Sequence, residues 1–184
     1  MFFNSPRKIG QELASVFRQM AIPAFHGTRA MREAEISGNF QFPTGFFQDY
    51  YCLGFLFGSF DIYIFQTAAQ KWTNDKKQET MFHAAHHVNG EPETWKSYAE
   101  LRQSVLPNDE HPLNLGHEHG ATLAATTLQI IRPQEYDTNP TLIDAVEKVN
   151  EHGINFTSTK HEEICFYLFT GTFKAYIDAN WEDA

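Results

Sequence analysis

Cysteine is scarce in this chain: Cys52 and Cys165 are the two among 184 residues. Neither sits in a Cys-x-x-Cys pair, so zinc ribbons, thioredoxin-type redox motifs and covalently attached haem fall away. Both lie in apolar stretches, where a reduced cysteine behaves as a small hydrophobe. Positive charge is also short. Lys and Arg number 14 against 23 Asp and Glu, for a formal charge of −9. No basic run is longer than Lys76-Lys77. Nucleic-acid affinity comes largely from counterions released by clustered Lys and Arg. A nucleic-acid partner and an anionic membrane surface are therefore not expected.

Long apolar runs are missing too. The strongest candidate, Tyr50–Phe60, lies between Asp49 and Asp61 and falls well short of the about 20 residues a membrane-spanning helix needs. Extending it to Phe65 encloses Asp61, at roughly 2.5–3.5 kcal/mol in a bilayer. The run is expected to be a helix buried in protein, with no membrane span. Met1–Arg7 has neither the basic start nor the apolar stretch of a signal peptide, so a cytoplasmic location is expected. Asn155-Phe156-Thr157 fits a glycosylation sequon and, without a secretion signal, reads as chance. Phosphate loops, nucleophile elbows, dinucleotide fingerprints, calcium loops and the paired Glu-x-x-His motifs of di-iron bundles are all absent.

What the chain does have is phenylalanine, 17 of them. Phe buries a large area without needing a hydrogen-bond partner. The surplus fits a thick interior, an oligomer interface or an apolar pocket. With 42% hydrophobic and 20% charged residues, the composition is that of an ordinary globular chain.

Helix punctuation is frequent. Ser5-Pro6 is a cap followed by proline, and Ile9, Leu13, Phe17 and Met20 recur at helical spacing up to Pro23. Thr28 caps a short helix ending near Gly38, with a small hairpin at Ser37-Gly38-Asn39 as an alternative. Phe40–Pro43 reads as extended. Thr44 is expected to cap the long apolar helix, running to about Lys71. Asn74 opens a histidine-bearing helix followed by Gly90. Pro92 starts another, with Trp95, Tyr98, Leu101 and Val105 on one side, and Pro107 ends it. Asn108 or Asp109 opens a helix to Ile131, with Pro133 beyond. Asn139-Pro140 begins the next, closed by Gly153. Thr159 and Glu162 form a capping box for a last helix reaching Trp181. Residues 1–184 thus form a single all-α domain, a bundle of about eight helices with long central ones. Gly54 and Gly58 share a helix face and invite a close neighbour, with Ala121, Ala124 and Ala125 or Gly171, Ala175 and Ala179 as its small partners.

Histidines supply the candidate sites. In Glu79-Thr-Met-Phe-His-Ala-Ala-His-His-Val88, the residues Met81, Ala84, Ala85 and Val88 make an apolar stripe. Glu79, His83 and His87 fall opposite, at spacings that let them share a divalent transition metal such as zinc, iron or manganese. The amphipathic pattern alternatively makes that face plainly solvated, or a contact for a partner or a second copy. His117 lies in Gly116-His-Glu-His-Gly120 on the face of Leu113, Ala121 and Ala124, while His119 points the other way. A buried imidazole needs hydrogen-bond partners or a shifted pKa. His161 shares a face with Ile164, Cys165 and Leu168. Asp61 follows the apolar run and needs a partner if buried, with His117, His161, Arg18 or a tyrosine available.

Three functions are compatible with these residues. The first is a non-catalytic helical protein acting by self-association, as a homo-oligomer, or by binding a protein partner through Phe- and Tyr-rich surfaces. The second is a metal-dependent or acid–base enzyme with catalytic Asp61, His117 and His161 inside the bundle. The third is a binder of an apolar small ligand.

Overall fold

A computed structural model of the chain describes residues 5–66, 71–89, 91, 93–131, 134–152 and 159–181, apart from the side chains of Phe65 and Asn89. Within these residues the fold is all-helical, with no strand. The helices are α1 (Pro6–Ala21), α2 (Arg29–Ser37), α3 (Tyr50–Gln66), α4 (Asn74–Asn89), α5 (Glu93–Val105), α6 (Pro112–Thr127), α7 (Glu135–Thr138), α8 (Pro140–His152), α9 (Lys160–Phe169) and α10 (Ala175–Trp181). A π turn, Thr170–Lys174, joins the last two into one continuous helix.

Most helices start where a side chain can take up a free backbone N–H. Ser5 Oγ accepts from Lys8 N at 3.3 Å, and Thr28 caps α2. Thr159 and Glu162 complete the capping box of α9. Two starts differ from expectation. Asp49, not Thr44, caps the long apolar helix, its Oδ1 accepting from Cys52 N at 2.9 Å; Thr44 is spent in a turn leading to a short 3-10 segment, Phe46–Gln48. His111, not Asn108 or Asp109, caps α6 through its ring Nδ1, 3.2 Å from Leu113 N. The hairpin alternative at Ser37–Asn39 does not form, because Gly38 adopts φ 72° and closes α2 as a left-handed cap. Gly90, Pro92, Pro133, Gly153, Met1–Asn4, the end of the long helix toward Lys71 and the Asn155 sequon lie outside the described residues.

The closest helix pair is α3 with α6. A Cβ on Gly116 would overlap the carbonyl oxygen of Tyr51, and one on Gly120 that of Phe55. Reciprocally, a Cβ on Gly54 would strike the carbonyl of Leu113, and one on Gly58 that of His117. Residue numbers rise together along both helices, so the two run parallel. The small partners of Gly54 and Gly58 are therefore Gly116 and Gly120, not the alanines of α6 or the small residues of the last helix. Removing four side chains lets backbone meet backbone, the arrangement that favours Cα–H···O contacts. A second close approach joins α1 to α4, where Gly10 lies against His83 and Ala84.

Phenylalanine fills the space around this pair. Phe17, Phe25, Phe40, Phe46, Phe55, Phe57, Phe60 and Phe173 are all buried, each contributing about 1.5–3 kcal/mol of transfer energy. Phe42 stands at the centre of one cluster, within 6.1 Å of the rings of Phe17, Phe25, Phe40, Phe46 and Phe47. Most of the surplus therefore serves the interior. The π turn sets the last helix against α3: Phe173 stacks on Phe55 at 4.1 Å and Tyr176 on Tyr51 at 4.0 Å. No helix among the described residues is long and apolar enough to cross a membrane.

Gly116→Ala or Gly120→Ala is expected to lower stability by about 1–3 kcal/mol through overpacking, despite the ~1 kcal/mol helix preference of alanine. A Cβ on Gly171 would meet only side-chain ends, the nearest of them 3.9 and 4.0 Å away, so Gly171→Ala should cost nothing. Urea midpoints of the three variants check the contrast.

Candidate functional site

The α3–α6 contact carries two polar groups with it. Asp61 lies one turn beyond Gly58 on α3, and His117 follows Gly116 on α6. His117 Nε2 is 3.0 Å from Asp61 Oδ2. Arg102, from α5, donates through Nη1 to the same oxygen at 3.3 Å, and its Nη2 is 3.3 Å from His117 Nδ1. A guanidinium only donates, so Nδ1 accepts and the ring proton sits on Nε2, where it is given to Asp61. Both ring nitrogens of His117 are thereby engaged. The three side chains are partly enclosed, with Asp61 26% and His117 16% exposed.

Tyr98, one turn before Arg102, closes the cluster from above. Its ring stacks on Phe57 at 4.3 Å and lies parallel to the His117 ring at 6.5 Å. Burial pushes its hydroxyl pKa up, and nearby Arg102 offsets only part of that. The guanidinium approaches the hydroxyl without completing a hydrogen bond: among the described residues Tyr98 Oη and Arg102 Nε are both buried without a partner. In the sequence Tyr98 is visible only as a member of an apolar stripe. Arg102 has no signature there beyond its place one turn after Tyr98 on an amphipathic helix.

The other candidates are dispersed. His161 partners Cys165, whose Sγ is 3.7 Å from its Nε2, and makes no hydrogen bond or ion pair with Asp61 or His117. Arg18 is committed to the carbonyls of Val88 and Phe40, at 3.2 and 3.0 Å, so it is not the partner of Asp61. Glu79 and His83 approach to 3.8 Å, while the His87 ring lies beside His86 at 5.4 Å. Among the described residues no three His, Cys, Asp or Glu side chains are grouped to hold a metal ion. The solvated-face expectation holds for Glu79 and fails for His83, whose side chain is only 24% exposed because α1 covers it at Gly10.

His119 departs further from expectation. It does not point to solvent but meets buried Tyr51, with Tyr51 Oη and His119 Nδ1 2.8 Å apart. Burial keeps the Tyr51 hydroxyl protonated, so it donates to Nδ1. Burial likewise lowers the pKa of His119 below 6.5. Tyr176, stacked on Tyr51, donates to Asp49 Oδ2 at 2.8 Å. Cys52 lies beside Asp49, its thiol pKa raised first by burial and then by that carboxylate. This second cluster ties the start of α3 to α6 and to the last helix.

Two concavities flank α5. A groove of about 490 Å³ runs between α4 and α5, with Asp75, Gln78, Glu79 and Phe82 on one wall and Trp95, Lys96, Ala99, Glu100 and Gln103 on the other. Past Gln78 and Trp95 it adjoins a cleft of about 170 Å³ lined by Asp61, Ile64, Asn74, Lys77 and Met81. Two larger hollows, of about 760 and 730 Å³, follow the Asn39–Thr44 segment. Their charged lining is largely committed within the chain: Arg29 pairs with Glu33 at 2.7 Å, and Arg18 holds two carbonyls. Compared with protein-family models, with curated proteins and with solved structures, the chain matches none.

His119 has a folded pKa below its ordinary 6.5. Its contribution to stability is therefore complete above that pH and lost as pH falls, when the unfolded chain takes up a proton that the folded one refuses. His119→Asn keeps an acceptor for Tyr51 and cannot titrate, so its stability should decline less on acidification; denaturant unfolding at a series of pH values measures the difference. Asp61→Ala strips Arg102 and His117 of their shared acceptor and is expected to cost about 1–3 kcal/mol in the same assay.

Proposed function

We propose that this chain is a non-catalytic helical protein that receives an amphipathic helix of a protein partner in the groove between α4 and α5. The observation that carries the reading is Phe82. This residue is 40% exposed in a groove shared with half-buried Trp95 and Ala99. Among the described residues the remaining exposed large apolar ones, Val16, Ile36, Tyr50, Leu106, Leu115 and Phe166, are spread over separate elements, the ordinary condition of a protein surface. A groove walled by two helices and floored by aromatics suits an apolar helix face presented at i, i+3, i+4 and i+7.

The Arg102–Asp61–His117 cluster supports the same reading, as a brace that holds α5 to α3 and α6. The acid–base alternative has the 3.0 Å His117–Asp61 contact in its favour. Against it stands the engagement of both imidazole nitrogens, since a general base needs one free to reach a substrate proton.

A synthetic amphipathic peptide with a leucine face and glutamine elsewhere serves as probe, followed by tryptophan fluorescence because Trp95 lines the groove. Saturable binding is expected, weakened about tenfold or more by Phe82→Ser, in the range of a modest interface anchor. Absence of binding, or equal binding to the variant, would overturn the proposal.

A further inference from the structure

We infer that the helix received by this groove carries lysine or arginine along the flanks of its apolar face. The inference rests on the groove reading and specifies its partner. Asp75, Glu79 and Glu100 line the groove against a single base, Lys96, so the local balance is 1 − 3 = −2. All four are exposed. Asp75 and Glu100 take part in no ion pair among the described residues, and Glu79, 56% exposed, meets only the His83 ring at 3.8 Å. The rim acids are thus available to an incoming cation. Asp75 and Glu79 stand one helical turn apart on the same wall, a separation of about 6 Å along the axis. Lysines four apart on a helix lying along the groove meet that spacing.

The whole molecule points the same way. A formal charge of −9 draws a cationic segment in and repels a second copy of this chain. No two Lys or Arg of this chain stand four residues apart to meet such a rim, so the occupant is a different protein. Exposed rim pairs add little energy each; their effect is on selectivity, encounter rate and salt dependence. The apolar floor at Phe82 and Trp95 supplies the rest. Acidity alone would hold any cation loosely, whereas the combination selects a helix that is basic and amphipathic at once.

Three peptides with the same leucine face and with lysine, glutamine or glutamate at the flanking positions test this, each titrated into the full chain at low and at high salt. The lysine peptide is expected to bind at least tenfold tighter than the glutamine one at low salt, and the gap should close as salt screens the rim. Glu79→Gln with Glu100→Gln, both surface changes, should remove the lysine preference while leaving the glutamine peptide bound and the unfolding midpoint unchanged. Phe82→Ser should weaken all peptides that bind. Equal binding of the lysine and glutamine peptides would sink the charge inference and leave the groove reading standing. Lysine-peptide binding undiminished by Phe82→Ser, or a lysine preference that survives the double glutamine variant, would show attraction to net charge only, and would also sink it. Failure of every peptide to bind would remove the groove reading itself.

Discussion

Everything in this fold is arranged around the contact of two helical backbones. Gly54 and Gly58 on α3 and Gly116 and Gly120 on α6 each remove a side chain where the opposite helix brings a carbonyl. Helices at this separation cannot admit a methyl group, so the register of one against the other is set to within a residue. That register decides what else meets. Asp61 meets His117 on one flank of the contact, and Tyr51 meets His119 on the other. The two polar clusters are consequences of the glycine contact, placed one on each side of it.

The cluster at Asp61 gives α5 its position. Tyr98 stacks on Phe57 and Trp95 packs against the same ring at a tilt, and Arg102 reaches across to α3 and α6 together. With α4 held to α1 at Gly10, both walls of the α4–α5 groove are anchored to the interior. An anchored groove loses little conformational freedom when filled, which lowers the entropic cost of binding. A structural role for these partly enclosed charges and the proposed binding role of the groove are in this respect one proposition.

Much of the secondary structure was legible. Ser5, Thr28 and Thr159 announce their helices because capping is a local matter between a short polar side chain and the backbone two or three residues on. Asp49 was equally legible: it directly precedes the apolar run, as a cap should, and Thr44 was the less direct choice. The pairing of Gly54-x-x-x-Gly58 with Gly116-x-x-x-Gly120 could also have been found, since the two spacings are identical. The histidines between the second pair give it the look of a ligand motif, whereas its glycines are what packing requires. The π turn at Thr170–Lys174 had no readable signature; it follows from seating Phe173 and Tyr176 on α3.

By itself, the order of residues determined that this chain is helical, where most of its helices begin, which stripes seek an interior, and that its phenylalanines have a core to fill. These depend on periodicity and on interactions within a few residues. Only the tertiary structure decided that Arg102 joins Asp61 and His117, that His161 turns to Cys165, that α1 covers His83, and that His119 meets Tyr51. Those pairings, His161 with Cys165 aside, link residues far apart in the chain through the register of α3 on α6 and of α1 on α4. A helical face read from one segment says that a side chain is sheltered, but the choice of what shelters it belongs to the partner helix.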